Sequence, residues 1–205
     1  MKYQPLINLY PLIWPRLYVW LRLKILPLAQ LEKLLPKSGS ILDVGCGYGF
    51  STIFFALCSS QRRIKGLELA VSRVKIAQIA ASGIPNVSFQ SDNLASLQKR
   101  HYHTIVLIDL LHHLSAPEKS TLLQQCSKLL PANGLLIIKD INTIPLPKYL
   151  WNYLHDLIMT RFGHLEFINS AQMVTLLTSF GFKVISHYPI RHFLYPHYLY
   201  VCQKS

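Results

Sequence analysis

Acidic residues are scarce in this chain of 205 residues and are confined to its middle. Nine carboxylates stand against 21 lysines and arginines, for a formal net charge of +12. None precedes Glu32 and none follows Glu166, so both ends are basic. Charge of this sign suits a nucleic acid or an anionic membrane surface. The cations never run longer than two in a row, as at Arg62-Arg63, so no phosphate-tracking stretch is marked and nucleic acid is not favoured. The four cysteines (Cys46, Cys58, Cys126, Cys202) include no C-x-x-C pair. That argues against zinc, an iron–sulfur cluster or a disulfide framework, and favours buried, reduced thiols in the cytosol. A membrane span needs about 20 apolar residues. Tyr3 to Pro15 is uncharged but shorter, and prolines 5, 11 and 15 break it. No small-x-small cleavage site follows, which excludes a signal peptide. What remains is 51% apolar residues, enough for one domain with a substantial core.

Glycine is sparse too, yet three of the nine glycines fall within Asp43-Val44-Gly45-Cys46-Gly47-Tyr48-Gly49, a D-x-G-x-G-x-G run. Ser40-Ile41-Leu42 before it reads as an apolar strand, and Phe50-Ser51-Thr52-Ile53 after it as a helix start. Glycines there let a ligand lie against bare backbone and permit positive φ. The following helix would direct free N–H groups and its positive dipole end at that ligand. A phosphate-binding loop would end in Gly-Lys-Ser/Thr, but Phe50-Ser51 follows Gly49. A dinucleotide fingerprint would need its third glycine at position 50, where Phe50 stands. A different nucleoside cofactor is expected.

The scarce acids fall at the ends of the next strands. Arg63 to Glu68 is predicted as a second strand, Val87 to Asp92 as a third, and Thr104 to Asp109 as a fourth, with a helix over Ala70 to Ser82. Each closes on a carboxylate at the edge where open α/β sheets bind ligands, and Glu68 can accept two ribose hydroxyls. With ILDVGCGYG, GLEL, SDN, VLIDLLHHL and LLPANGLLIIKD in this order, the chain resembles the class I S-adenosylmethionine-dependent methyltransferases. The motifs cover residues 38 to 141, with a weaker match to the end. The resemblance implies a Rossmann-like α/β fold: a mostly parallel seven-stranded sheet flanked by helices, its last strand antiparallel. It implies that Asp43, Gly45, Cys46, Gly47 and Gly49 hold the methionine part of S-adenosylmethionine. Glu68 with Leu69 would hold the ribose, Asp92 with Asn93 would face the adenine, and Asp109 with Leu110 would line the cofactor side of the pocket. The sulfonium is cationic and carries no phosphate, which suits an acid-rich site.

Residues 1–35 lie outside this core, which occupies 36–205. From Pro15 to Leu35, leucines and Trp20 alternate with Arg16, Arg22, Lys24 and Lys33, and Pro27 should divide two short helices. Two readings stand: a helical lid over the substrate pocket, with Tyr10 and Tyr18 against the acceptor, or an amphipathic segment on the inner face of the membrane. After a fifth strand (Gly134 to Asp140), an insert spans about 142–169. Ile144-Pro145-Leu146-Pro147 reads as a stiff turn and Lys148 to Arg161 as an aromatic-rich helix, with Trp151 and Arg161 as acceptor contacts. A helix over Ser170 to Phe180, with Ser170 as N-cap and Gly181 as C-cap, precedes strands Lys183 to Tyr188 and Tyr198 to Cys202.

Methyl transfer is a displacement governed by alignment in a dry site. A base is needed only when the nucleophile must lose a proton, as a phenol must. The candidates are His112 and His113 after the fourth strand, with His113 preferred, and then His164. The fourth strand runs on as Asp109-Leu110-Leu111-His112, without the Asn/Asp-Pro-Pro-aromatic turn of DNA amino-methyltransferases. Cys126 lies too far along for cysteine-based RNA methylation, and no acid pair marks a magnesium site. The reading is a methyltransferase for an oxygen or carbon of a small apolar, aromatic or lipid-like acceptor. An RNA or protein methyltransferase and a non-catalytic cofactor-binding module are its rivals. Nothing in the sequence specifies an oligomer.

Overall fold

The computed structural model describes residues 3–97, 102–159 (backbone only at 159) and 163–205. Seven strands form one sheet in the order β3-β2-β1-β4-β5-β7-β6. They are β1 (Gly39–Val44), β2 (Arg62–Glu68), β3 (Val87–Ser91), β4 (Thr104–Ile108), β5 (Leu135–Ile141), β6 (Phe182–Pro189) and β7 (His197–Lys204). β1 pairs with β2, and β2 with β3, in parallel. β7 runs antiparallel to both β5 and β6, as expected of the last strand. The chain divides into two compact units, the first running to Leu97 and taking in Tyr102–Thr104, the second comprising Ile105–Ser205.

The first unit holds α1 (Gln4–Asn8), α2 (Ile13–Ile25), α3 (Leu28–Leu34), α4 (Phe50–Cys58) and α5 (Val71–Ala80). Pro27 separates α2 from α3, as its fixed φ and missing N–H require. Pro15, Val19 and Leu23, spaced by four, form the buried stripe of α2. The opposite side carries Ile13, Trp14, Leu17, Trp20 and Leu21, all exposed, so α2 is apolar on two sides. Arg62 explains why α3 stays attached. Its fully buried guanidinium donates to the carbonyls of Leu35, Pro36 and Phe55 and to Glu32 Oε1 at 3.0 Å. Hydrogen bonding from Lys37, then from Arg62, holds the Glu32 carboxyl below its usual range.

The second unit holds α6 (Ala116–Leu129), α7 (Leu146–Met159) and α8 (Ser170–Ser179). Three local expectations are corrected. Helix α7 begins at Leu146 within the expected proline turn, because Pro147 sits in the first helical turn where its missing N–H would be unbonded anyway. Its expected end at Arg161 lies outside the described residues. Asn169, not Ser170, caps α8: its side chain accepts from Gln172 N while Gln172 answers the Asn169 N–H, a reciprocal box. Gly181, at φ +79°, follows the C-cap Phe180 in the left-handed conformation that closes many helices.

Candidate functional site

In the first unit, β1 delivers Asp43 to a turn in which Gly45, Gly47 and Gly49 all adopt positive φ, of 75°, 57° and 75°. The glycines serve different ends. A Cβ on Gly49 would stand 2.6 Å from the Phe89 ring, so this glycine lets β3 pack against the helix start. A Cβ on Gly47 would meet nothing within 4 Å among the described residues, so that side of the turn is open to a ligand. The N–H groups of Gly45 and Cys46 both donate to the Leu67 carbonyl, at 2.8 and 2.9 Å, tying the turn to β2. The Cys46 thiol is buried behind the turn, and burial raises its pKa first, with Asp43 and Glu68 adding to the effect. It is packing, not a nucleophile.

Asp43 is 1% exposed and accepts from Thr52 at 2.6 Å and Ser51 at 3.2 Å. Burial pushes its pKa up to about 6 against those hydrogen bonds. Glu68 grips both sides of the turn's mouth, accepting from Gly47 N and from Ala70 N, each at 3.0 Å. Each oxygen keeps acceptor capacity for a ribose hydroxyl. Leu69 beside it is 73% exposed, an apolar surface of the kind a nucleobase covers. Asp92 accepts from Asn93 N and from Gln90, and hydrogen bonding from Ser96 and Asn93 lowers its pKa. Asn93 is exposed beside it.

Tyr10 and Tyr18 are placed on this turn. Tyr10 is fully buried, its hydroxyl donating to the Tyr48 carbonyl at 2.9 Å, and burial raises its pKa strongly. Tyr18 meets the Tyr48 ring edge-on at 5.1 Å between centroids. Both brace the turn from the N-terminal segment. For Tyr10 this corrects the expected place against an acceptor, because its hydroxyl is already engaged.

In the second unit, buried charge gathers after β4. Asp109 takes the left-handed φ of 51° that aspartate tolerates better than most residues, and its carboxylate pairs with fully buried Lys139. Leu110 leads into a single 3-10 turn, Leu111–His113. His112 is 4% exposed, with Nδ1 on Asp140 and Nε2 3.4 Å from Asp156 of α7. Burial opposes its charge, but Asp140 and then Asp156 override this and lift the ring to about 10. An imidazolium held between two carboxylates is not a resting base, which corrects the expectation for His112. His113 differs in kind. Its Nδ1 is buried, with no hydrogen-bond partner among the described residues. Burial, aided by the charge on His112, lowers it to about 4, so the ring is neutral at pH 7.

His164 stands apart, largely exposed, 3.6 Å from Glu166. Trp151 is 48% exposed on the outer side of α7. Arg161 lies outside the described residues. Sequence reasoning missed the partners: Lys139, Asp140, Asn152 and Asp156. Two signals were available. Asp140 lies at the end of β5 as the other acids lie at the ends of their strands, and Asp156 is the one acid in α7.

A family model described as a methyltransferase domain matches residues 20–187. The ubiquinone biosynthesis O-methyltransferase of Leptothrix cholodnii is 29% identical over 110 residues, which are 51% of this chain and 45% of that protein. Its namesake in Xanthomonas axonopodis pv. citri is 26% identical over 161 residues, 74% of this chain and 66% of that one. The chain thus spans from under half to about two thirds of these relatives' length. Among solved structures, the magnesium protoporphyrin IX methyltransferase of Synechocystis PCC 6803 with bound SAH superposes with a TM-score of 0.67 at 20% identity. The match covers 87% of this chain and 80% of that one. The seven-stranded order, the open turn at Gly47 and the acids around it fit the cofactor of such proteins, S-adenosylmethionine. The chain belongs to the methyltransferase-domain family.

Proposed function

We propose that this protein moves a methyl group from S-adenosylmethionine to an oxygen or carbon of a small apolar, aromatic or lipid-like acceptor. The observation that carries the reading is His113, a neutral, partly exposed imidazole whose buried Nδ1 has no hydrogen-bond partner among the described residues. When bound, the cofactor supplies an electrophilic methyl group on sulfur. The first unit's residues hold and orient it: Glu68 by the ribose, Leu69 and Asp92 with Asn93 by the base, and Asp43 with the glycine turn by the methionine end. In the second unit, the partly exposed His113 ring accepts the proton that a phenol or activated carbon releases. The carboxylates of Asp156, Asp140 and Asp109 favour the imidazolium that results. Alignment and exclusion of water supply the rest. In keeping with an apolar acceptor, the insert helix α7 carries Leu146, Leu150, Leu154 and Ile158 at every fourth residue, beside Trp151 and Tyr153, all exposed. Two relatives named for O-methylation in ubiquinone biosynthesis agree with such a class.

The reading extends to a cytoplasmic protein in peripheral contact with the inner face of the membrane. Ile13 and Trp14 are 78% and 79% exposed, Leu17, Trp20 and Leu21 continue the same side, and Lys24 lies over Trp20. An amphipathic surface helix with aromatics beside cations suits an anionic interface. Residues 1–35 would thus act both as brace for the cofactor turn and as contact with lipid. Co-sedimentation with phosphatidylglycerol vesicles tests this. Binding that falls with salt and with Trp14→Ser supports the contact, and equal recovery with neutral and anionic vesicles contradicts it. Methyl transfer itself is tested by offering labelled S-adenosylmethionine with a lipid extract. Label in the organic phase supports the proposal, whereas label in RNA with a steep salt dependence would favour the rival polymer substrate.

A further inference from the structure

His112 gathers several segments of the second unit beside His113. Its Nδ1 bonds Asp140 at the end of β5, and its own N–H donates to Asp140 Oδ2 at 3.3 Å. Its Nε2 lies 3.4 Å from Asp156 on α7. Asp156 is fixed in turn by the Asn152 amide at 2.6 Å and faces His155 Nδ1 at 3.3 Å. The His112 carbonyl accepts from Glu166 N at 2.9 Å, and its ring stacks on Phe167 with centroids 5.1 Å apart and planes within 8°. Three pieces of chain, the β5 end, α7 and the segment before α8, thus converge on one side chain. His113 lies directly against it, at 4.0 Å between ring centroids.

We infer that His112 is a positioning residue, a charged bridge between Asp140 and Asp156 that docks the insert helix α7 and presents the His113 ring with its Nδ1 free. The inference rests on the reading of His113 as proton acceptor. A buried ion between two carboxylates has no slack: removing one partner leaves uncompensated charge, so the bridge specifies one arrangement of the insert. Burial first, and then this positive charge, keep the resting His113 ring neutral, because two adjacent imidazolium rings repel. The charged and titratable groups facing His113 are His112, Asp109, Asp140 and Asp156. Hydrophobic packing of α7 alone would have needed none of Asn152, Asp156 or the second ring contact of His112.

The test is a titration of the whole chain labelled with 15N-histidine, which needs no acceptor. The wild-type His112 ring should keep the doubly protonated signature through neutral pH, up to about 10, while His113 stays neutral down to about 4. Asp156→Asn should lower the His112 midpoint by about one unit or more and speed hydrogen exchange in α7 about tenfold. Its affinity for S-adenosylhomocysteine should be unchanged. Asp156→Glu should restore the bridge in part. His112→Gln should move the His113 midpoint up toward the ordinary value of about 6.5. A wild-type His112 that titrates near that ordinary value overturns the inference. So does Asp156→Asn with unaltered His112 titration and α7 exchange, a result readable even if His112→Gln does not fold. A protein that shows the predicted titrations but transfers no label keeps the bridge and refutes the methyl-transfer reading on which the role of His113 rests.

Discussion

The Tyr10 hydroxyl donates to the Tyr48 carbonyl at 2.9 Å, so a residue from the N-terminal segment holds the middle of the glycine turn. Tyr18 packs on the ring of the same Tyr48, and Arg73 lies over it at 5.8 Å while facing Glu68 at 3.9 Å. The N-terminal segment is therefore part of the cofactor turn's support.

Tyr10→Phe removes that hydrogen bond and nothing else. Stability to urea should fall by about 1 kcal/mol, the usual net worth of such a bond. S-adenosylhomocysteine affinity should drop several-fold by calorimetry, because the turn is no longer held. Unchanged affinity alongside lowered stability would confine Tyr10 to folding.

Gly47→Ala and Gly49→Ala should separate. Both force alanine into the left-handed region, at about 1–2 kcal/mol each. At Gly49 the new methyl would also strike Phe89 at 2.6 Å, adding about 1–3 kcal/mol of overpacking. At Gly47 the methyl enters open space, so the protein should stay folded yet lose cofactor affinity tenfold or more. Thermal melts with and without ligand measure both. A Gly47→Ala protein that binds normally would mean the ligand does not lie on that side of the turn.

These two glycines also show what the sequence could and could not disclose. The D-x-G-x-G-x-G spacing and the acids at Glu68 and Asp92 are local patterns, visible because each falls at the end of an apolar run. The mostly parallel seven-stranded sheet with an antiparallel last strand followed from the resemblance that those motifs carry. Partnership is different. That Glu68 would hold Gly47, that Lys139 would engage Asp109, and that Asp156 would reach His112 depend on contacts between segments far apart in the chain. No periodicity records them. Which side of α2 is buried was likewise not legible: Leu17, Trp20 and Leu21 face outward, and the buried stripe runs through Pro15, Val19 and Leu23.

Asp43 gives cofactor binding a pH dependence. Its pKa is about 6 in the fold against an ordinary value near 3.8, so its contribution to stability is lost as pH rises from the lower value through the higher. A cation bound beside it favours the carboxylate and draws that pKa back down. Binding of S-adenosylmethionine should therefore release a proton near pH 6 and weaken below it, by up to about tenfold per unit. S-adenosylhomocysteine, whose sulfur is neutral, should show less of this effect. Calorimetry in buffers of different ionisation enthalpy decides it, and equal proton release by the two ligands would contradict the assignment of Asp43.

His113 makes the opposite contribution. Its folded value of about 4 lies below the unfolded value near 6.5, so the unfolded chain takes up a proton that the folded one refuses. Stability should fall as pH drops from about 6.5 toward 4. His113→Gln should flatten that part of the profile. The same variant should cut transfer to a phenolic acceptor about 100-fold or more while leaving cofactor affinity intact. Full activity in His113→Gln would remove it from the chemistry.

The central claim is most directly tested by label transfer: the purified protein, S-adenosylmethionine labelled in its methyl group, and a whole-cell lysate separated afterward into organic-soluble, nucleic-acid and protein fractions. The account predicts label in the organic fraction, lost in His113→Gln and in Gly47→Ala. Label confined to RNA or protein, or none in any fraction despite measured cofactor binding, would contradict it.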